Sequence, residues 1–335
     1  MKNFRRYLLP IFQLAAVLTI FLTASQAYAF RFVVYADSRA PKGDPAAFNQ
    51  AILGYINSQI AELEPRPDFV VFIGDMVNRT LSADGSTNNL AYWKAFMEAG
   101  LGGIPIFVAV GNTDLYGNSG WTEFPMQAVY QATFNEMPSN GPPNYNKLAY
   151  FFEYGEGKER SLFAVLDSFG FYESQGTLQN FDNGFDSEQI AWFYQVSSGS
   201  EAHHKFAFSH GPAFSIEGFP VNDSVRVIWN LMEEFKYDMF YCGHEHIYSR
   251  WAINKKVYPL ATRKLTQTIV GSAGATPDPL SRVKVNPEKA HIYSGYTYVV
   301  VDVKDRLVSQ RSFAVVSNGL GGLTTKKIDC FKLIK

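Results

Sequence analysis

The chain has 335 residues, of which 47% are hydrophobic and 18% are charged. This composition excludes a mostly disordered chain, and the length suits one large domain or two small ones. The formal net charge of -1 gives no sign of a nucleic-acid-binding surface.

The first 29 residues have the three parts of an export signal. Basic residues lie at positions 2, 5 and 6, an apolar stretch follows at 14–22, and Ala-Tyr-Ala at 27–29 has the pattern that signal peptidases cleave. The alternative is an uncleaved membrane anchor, but the apolar stretch is shorter than the roughly 20 residues that a spanning helix needs. We therefore predict a signal peptide at 1–29, a periplasmic or extracellular mature protein, and no stable membrane association.

Short apolar runs rich in β-branched and aromatic residues predict buried strands along the chain. They lie at 30–35, 69–73, 104–110, 162–166, 205–208, 238–241, 268–270 and 296–303. Helical spacing of apolar residues occurs between several of them, at 46–62, 90–98, 186–194 and 225–235. The early alternation of strand and helix indicates an α/β core, and the later strands, separated by turns, indicate mixed sheets.

The remaining segments bear on the domain organisation. Residues 115–150 are rich in Gly, Pro, Asn and aromatic residues, which predicts a long surface excursion of the kind that is often functional. We expect a single domain over 30–335, with its core at about 30–303 and a C-terminal extension at 304–335. The two cysteines, Cys242 and Cys330, are free to pair in an exported protein, but the apolar run around Cys242 equally fits a buried thiol.

Polar side chains follow five of the predicted strands at the point where each strand ends. In chain order they are Asp37, Asp75, Asn112, His210, and the pair His244 and His246. Ligands of open α/β sheets gather at this end of the strands, so we expect these side chains to lie together. A glycine precedes Asp75, Asn112 and His244, and we expect it to let the backbone turn sharply there. Each motif alone is typical of a turn or a hydrogen-bonded histidine, but the ordered set predicts a site for Zn, Mn or Fe.

The ordered set resembles the calcineurin-like metallophosphoesterase family. The order Asp-x-x, Gly-Asp, Gly-Asn-x-Asp, His and Gly-His-x-His is similar to that family's pattern, and Gly-His-Glu-His-Ile-Tyr-Ser-Arg at 243–250 is similar to its purple-acid-phosphatase-like branch. The resemblance spans about residues 30–303. It implies a four-layer α/β sandwich of two mixed β-sheets flanked by helices, with one or two divalent or trivalent metal ions at the strand ends.

The resemblance also implies an activity and a set of roles. Asp75 would bridge two metal ions, Asp37 and His246 would hold the first ion, and Asn112, His210 and His244 would complete the second site. Two adjacent cations lower the pKa of a bridging water and hold the phosphoryl oxygens during in-line displacement. The implied function is hydrolysis of small phosphate monoesters or diesters by a metal-activated water.

Two positions near the first metal site depart from the family pattern. Arg39 stands where the family has a histidine, and a guanidinium has no lone pair with which to bind a metal. Its fork geometry suits a phosphate oxygen, and the alternative is an ion pair with a surface carboxylate. Asn78 stands where the purple branch has a tyrosine ligand, which leaves Asp37, Asp75, His246 and Asn78 as the candidate donors.

A third departure concerns proton donation to the leaving group. Thr113 stands where the family has a histidine in this role, and general acid catalysis contributes about 10²–10⁴-fold in rate. Asp114, or a histidine such as His203 or His204, is the candidate replacement. We therefore predict a phosphoesterase with Asp75, His210, Arg39 and Asp114 in catalysis. The alternative is a metal- or phosphate-binding homologue with little or no catalysis; the oligomeric state is left open.

Overall fold

The computed structural model describes residues 29–80, 82–115, 124–174, 177–180, 182–285 and 290–335. The predicted signal peptide at 1–29 lies outside these ranges except for its last residue. Within the described ranges, two mixed sheets of six and seven strands pack against each other between helices. The predicted α/β sandwich is therefore confirmed.

The strands are numbered in chain order. They are β1 (Phe30–Tyr35), β2 (Phe69–Ile73), β3 (Ile106–Ala109), β4 (Tyr150–Tyr154), β5 (Ser161–Leu166), β6 (Phe171–Ser174), β7 (Thr177–Asn180), β8 (His204–Ser209), β9 (Met239–Cys242), β10 (Tyr248–Ile253), β11 (Leu265–Val270), β12 (Ala290–Tyr293), β13 (Tyr296–Lys304), β14 (Leu307–Ser317) and β15 (Leu323–Ile334). The first sheet has the order β15-β14-β13-β1-β2-β3 and the second β12-β10-β11-β9-β8-β5-β4, while β6 and β7 form a separate pair.

Each sheet has a parallel centre and antiparallel edges. In the first sheet β1, β2 and β3 run parallel, and β13 pairs antiparallel with β1. In the second sheet β5, β8, β9 and β11 run parallel, and β4 and β10 pair antiparallel at its two sides. The candidate site residues follow five of these parallel strands, namely β1, β2, β3, β8 and β9.

Helices connect several of the strands. They are α1 (Gln50–Ala61), α2 (Ala83–Leu101), α3 (Asn112–Leu115), α4 (Phe124–Thr133), α5 (Ser187–Gly199) and α6 (Asp223–Glu234). Trp93 of α2 lies edge-on against Phe72 of β2, with ring centroids 4.8 Å apart, and α6 packs Trp229 near Phe240 of β9. Asp186 caps the start of α5, because its side chain accepts a hydrogen bond from the backbone of Gln189.

Aromatic side chains fill the space between the two sheets. The ring of Phe32 on β1 lies 5.2 Å from Phe163 on β5 and 5.2 Å from Phe206 on β8, in edge-to-face contacts. Such contacts add to the free energy gained by removing large apolar surfaces from water. They hold the two sheets in a fixed alignment, so that the ends of their parallel strands meet at one edge of the sandwich.

Two sequence expectations change in the structure. The predicted surface excursion at 115–150 is wrong in its described part, because it contains α4 and its Tyr130 and Phe134 are buried in the core. Residues 304–335, predicted as an extension, contain β14 and β15, which continue the first sheet. Cys242 on β9 is buried and Cys330 on β15 is exposed, and both thiols are free. No helix in the described ranges is both long enough and apolar enough to cross a bilayer.

Candidate metal centre

Three of the strand-end residues have a left-handed backbone conformation, which residues other than glycine rarely adopt. The φ angles of Asp37, Asp75 and His244 are +59°, +53° and +71°. Left-handed conformations outside glycine are uncommon and persist where the surrounding structure enforces them. Here the backbone N–H of Asp37 donates to the Gly74 carbonyl at 3.0 Å, so the loops after β1 and β2 fix each other.

Glycines at these loops allow one chain segment to approach another. Gly74 has a φ of +73°, which is the sharp turn expected before Asp75. Gly111 serves a different purpose, because a Cβ atom there would lie 2.2 Å from the Asp75 backbone nitrogen and 2.5 Å from its Oδ1. The prediction of sharp glycine turns is thus met at Gly74, while Gly111 is needed for close approach.

Two buried carboxylates and an imidazole converge on one point. His210 Nε2 lies 3.2 Å from Asp75 Oδ1 and 3.9 Å from Asp37 Oδ1. The Nδ1–H of His210 donates to the Ile73 carbonyl at 2.7 Å, so Nε2 is the ring nitrogen that faces the carboxylates. Metal-binding histidines commonly donate their second ring N–H to a backbone carbonyl in this way.

The donor atoms of this group fit a metal ion. Asp37 Oδ1 and His210 Nε2 are buried without a hydrogen-bond partner in the described structure. The three side chains each offer one ligand atom, and these atoms lie within 4.8 Å of one another. Zinc takes nitrogen and oxygen donors at about 2.0–2.2 Å, so its ligand atoms lie roughly 3–4 Å apart. Asp37, Asp75 and His210 are therefore a candidate metal site.

Burial and mutual charge separate the pKa values of the group. Burial raises the pKa of Asp37 well above its ordinary value, in spite of the nearby His210. Burial acts in the same direction on Asp75, but His210 and Arg39 together lower the pKa of that carboxyl below its ordinary range. Burial lowers the pKa of His210, but the charges of Asp75 and Asp37 outweigh it and raise the value to about 9. The pocket thus favours a positive charge between the carboxylates, which a metal ion supplies when it displaces the proton.

Asn112 and His244 lie beside this group. His244 Nδ1 is 3.1 Å from Asn112 Oδ1, and its backbone N–H donates to Asp37 Oδ2 at 3.2 Å. Burial and the charge of His210 lower the pKa of His244 to about 3, so its imidazole is neutral at physiological pH. The rings of His244 and His210 have centroids 5.3 Å apart. The structure therefore brings together the strand-end residues of both sheets, as the sequence predicts.

Arg39 and His246 form the other side of the centre. Arg39 Nε lies 3.4 Å from Asp75 Oδ2, and its Nη2 donates to His246 Nε2 at 3.2 Å. His246 Nδ1 is 3.2 Å from the Thr276 carbonyl, and its Nε2 is also 3.6 Å from Asp37 Oδ1. The alternative that Arg39 pairs with a surface carboxylate is wrong, because its carboxylate partner is the buried Asp75.

Asp114 lies behind the site residues rather than in front of them. It is buried, and its two oxygens accept hydrogen bonds from the backbone amides of Asp75, Met76 and Gly111, each at 2.9 Å. Burial and the charge of Asp75 raise its pKa to about 7, against the effect of the backbone donors. Asp114 therefore holds the loops after β2 and β3 together. Its predicted part in catalysis stays a prediction.

The other candidates for ligand and proton donor are placed as follows. His203 and His204 lie at the start of β8, and His210 lies beyond its far end, so neither is near the centre; His204 bonds instead to Asp238. The side-chain amide of Asn78 donates to the Ala46 carbonyl at 2.9 Å. Thr113 donates its backbone N–H to Asp75 Oδ1 at 2.9 Å, while its buried hydroxyl has no partner in the described structure.

The centre opens onto two clefts that share Arg39 and Lys42. One has a volume of about 530 Å³ and extends past His246 and Phe219; the other, of about 300 Å³, extends past Thr113. Sequence reasoning missed Asp278 at the first cleft, which accepts a hydrogen bond from the His246 backbone at 2.9 Å. No motif marks Asp278, since it reaches the centre only through a loop that folds back from β11.

Comparisons with known proteins identify the family and support the fold. The sequence matches the family model for calcineurin-like phosphoesterases over residues 30–248, and no curated protein matches it. The fold is similar to a purple acid phosphatase from yellow lupin (Lupinus luteus) seeds, with a TM-score of 0.65 and 16% identity over 91% of this chain and 53% of the other. It is also similar to PhoD, with a TM-score of 0.65 and 13% identity over 91% of this chain and 70% of PhoD.

A third similar structure is GAP50, described as the anchor in the inner membrane complex of Plasmodium. Its TM-score is 0.57, with 15% identity over 91% of this chain and 89% of GAP50. At these identities the similarity establishes the fold. This chain spans about half the length of the lupin phosphatase.

Proposed function

This chain belongs to the calcineurin-like phosphoesterase family, and from that premise we propose that it is an exported, metal-dependent hydrolase of small phosphate monoesters or diesters. One observation carries the proposal: Asp37, Asp75 and His210 converge in a buried pocket where one carboxylate oxygen and one imidazole nitrogen lack partners. Native proteins rarely leave such atoms unpaired, so the pocket supports a bound cation. The export pattern at 1–29 supports a periplasmic or extracellular location.

The residues of the pocket would divide the work between holding the cation and holding the substrate. A bound Fe, Mn or Zn ion supplies Lewis-acid catalysis and activates water for attack on phosphorus. Asp37, Asp75 and His210 would hold this ion, with Asn112 and His244 beside them. Asp114 would keep the loops after β2 and β3 in register.

The positive charge at the cleft suits a phosphorylated substrate. Arg39 borders both clefts, and Lys42 lies at their exposed rim. A guanidinium placed where negative charge accumulates stabilises the transition state of phosphoryl transfer without having to reorganise. The two clefts have room for a small substrate on either side of Arg39, which supports both monoesters and diesters.

The test is a hydrolysis assay on chain stripped of metal and reloaded with Mn, Fe or Zn. The substrates are nitrophenyl phosphate and bis(nitrophenyl) phosphate. We expect turnover only after reloading, and a loss of at least about 10³-fold in Asp75→Asn, since Lewis-acid stabilisation is worth several kcal/mol and each 1.4 kcal/mol is a factor of ten. Asp84→Asn is the matched control, because Asp84 lies exposed in the first turn of α2 and should leave turnover unchanged.

A second candidate function is binding of metal or phosphate with little catalysis. It is favoured by Thr113, whose side chain is a poor proton donor at the position of the family's histidine, and by the contact of Arg39 with Asp75 and His246. The same assay separates the two functions. Reloaded chain that binds metal but hydrolyses neither substrate would contradict the enzyme and favour the binding protein.

A further inference from the structure

We infer that the guanidinium of Arg39 stands in for one metal ion, so that the centre binds a single ion beside it. The inference rests on the proposed metal-dependent function and assigns the number of ions. It begins with Asp75, whose two oxygens face different partners. Oδ1 lies 3.2 Å from His210 Nε2, while Oδ2 lies 3.4 Å from Arg39 Nε.

The Oδ1 side of Asp75 is open to a cation. Its neighbours there, Asp37 Oδ1 and His210 Nε2, are buried, and neither has a hydrogen-bond partner in the described structure. The Nδ1–H of His210 donates to the Ile73 carbonyl, so Nε2 is the ring nitrogen that would bind an ion in place of its proton. The Oδ1 side of Asp75 therefore has a set of ligand atoms ready to bind an ion.

The Oδ2 side already holds a cation. Nη2 of Arg39 donates to His246 Nε2 at 3.2 Å, and His246 directs its Nδ1–H to the Thr276 carbonyl. The lone pair with which His246 would bind a metal is therefore used by the guanidinium. Arg39 carries a permanent positive charge, so it neutralises this side of Asp75 without any ion.

The backbone of Arg39 is held beside the centre, and its side chain reaches Asp75 and His246 from there. Its N–H donates to the Asp75 carbonyl at 3.2 Å, and the residue forms an isolated antiparallel bridge with Phe48. A metal ion entering on this side would have to displace the guanidinium and would then lie close to its charge. Like charges at this separation in a buried site oppose binding of the second ion.

Counting bound metal tests this arrangement directly. Chain stripped with a chelator is titrated with MnCl₂, and bound Mn is measured by mass spectrometry and by electron paramagnetic resonance. We expect one Mn(II) per wild-type chain, with the six-line spectrum of an isolated ion. In Arg39→His the imidazole replaces the guanidinium by a ligand, and we expect two Mn(II) per chain with a spectrum broadened by coupling between the ions.

Two further variants separate the loss of the Arg39 charge from the gain of a ligand, and both from a general change of charge at the clefts. Arg39→Ala removes the cation without adding a ligand, and we expect a second Mn(II) that binds at least about tenfold more weakly than the first. Lys42→His makes the same exchange of a cation for an imidazole at the exposed rim of the clefts, and we expect it to remain at one Mn(II).

Different experimental results would contradict this inference and the proposed function. Two Mn(II) bound to the wild-type chain overturn the inference, whether or not the chain hydrolyses a phosphoester. One Mn(II) in both Arg39 variants also overturns it, because the guanidinium would then not limit the count. A chain that binds one Mn(II), gains a second in Arg39→His and hydrolyses nothing supports the inference and contradicts the enzyme.

Discussion

Two clusters of buried polar side chains contain residues that are neighbours in sequence near the start of β10, and the clusters differ in how fully their polar atoms are hydrogen-bonded. The first, the inter-sheet clamp, joins Tyr248 and Arg250 of β10 to Asp329 of β15. Tyr248 donates to Asp329 Oδ2 at 2.7 Å, Arg250 donates to both oxygens of the carboxylate, and Ser312 of β14 donates to the Tyr248 hydroxyl at 2.9 Å. Every side-chain polar atom named here has a partner.

The metal centre, whose His246 lies two residues before Tyr248, leaves atoms unpaired. Asp37 Oδ1, His210 Nε2 and the Thr113 hydroxyl are buried without partners in the described structure. Buried polar groups are almost always hydrogen-bonded, and each exception needs a reason. This difference indicates that the clamp needs no further partner for its polar atoms, whereas the polar atoms of the centre need a bound ligand.

The largest expected effect that separates the two clusters is on metal affinity. Asp37→Asn should weaken Mn(II) binding by at least about 10²-fold, since even the loss of an outer hydrogen-bond partner costs 10–100-fold. The free energy of unfolding in a chelator should change by less than about 1 kcal/mol, because Oδ1 has no partner to lose. Binding is measured by calorimetric titration and stability by urea unfolding. A stability loss of several kcal/mol at unchanged affinity would place Asp37 with the clamp.

The clamp should show the reverse behaviour. Asp329→Ala leaves Arg250 and the Tyr248 hydroxyl without their buried acceptor, and removing one partner of such a pair costs about 3 kcal/mol. We expect this loss in urea unfolding, while Mn(II) affinity of the folded chain stays within about twofold of the wild type. If the affinity fell together with the stability, the clamp and the centre would be one cooperative unit and the comparison would fail.

The difference between the clusters also decides what the sequence could predict. The strands β1 and β2 have the predicted bounds because they are buried along their whole length and read as continuous apolar runs. The strand-end residues then follow, since parallel strands bring their carboxyl ends to one edge. The strand β15 was missed because most of its residues are partly or fully exposed, so it reads as a polar extension.

Contacts between distant residues were beyond the reach of the sequence. Arg39 and His246 are 207 positions apart, and Tyr248 and Asp329 are 81 apart. The Tyr-Ser-Arg that follows His246 was part of the resemblance to the purple branch, but the structure uses Tyr248 and Arg250 in the clamp. A motif can thus identify a family although its residues belong to two different clusters, His244 and His246 to the metal centre and Tyr248 and Arg250 to the clamp.

The smallest expected effect concerns the charge of Asp329. Burial alone would raise its pKa, but the hydrogen bonds from Arg250 and Tyr248 outweigh burial and lower the pKa below the ordinary value. A carboxyl whose pKa is lower in the folded state stabilises the fold fully above its unfolded pKa of about 3.9, and that contribution is lost as the pH falls through the folded pKa. The unfolding free energies of wild type and Asp329→Asn should therefore differ by a constant amount between about pH 7 and pH 5. The gap should narrow below about pH 4, and urea unfolding at each pH measures it. A gap that already narrows between pH 7 and pH 5 would show a raised pKa, and the clamp would then carry the same electrostatic cost as the buried carboxylate Asp37.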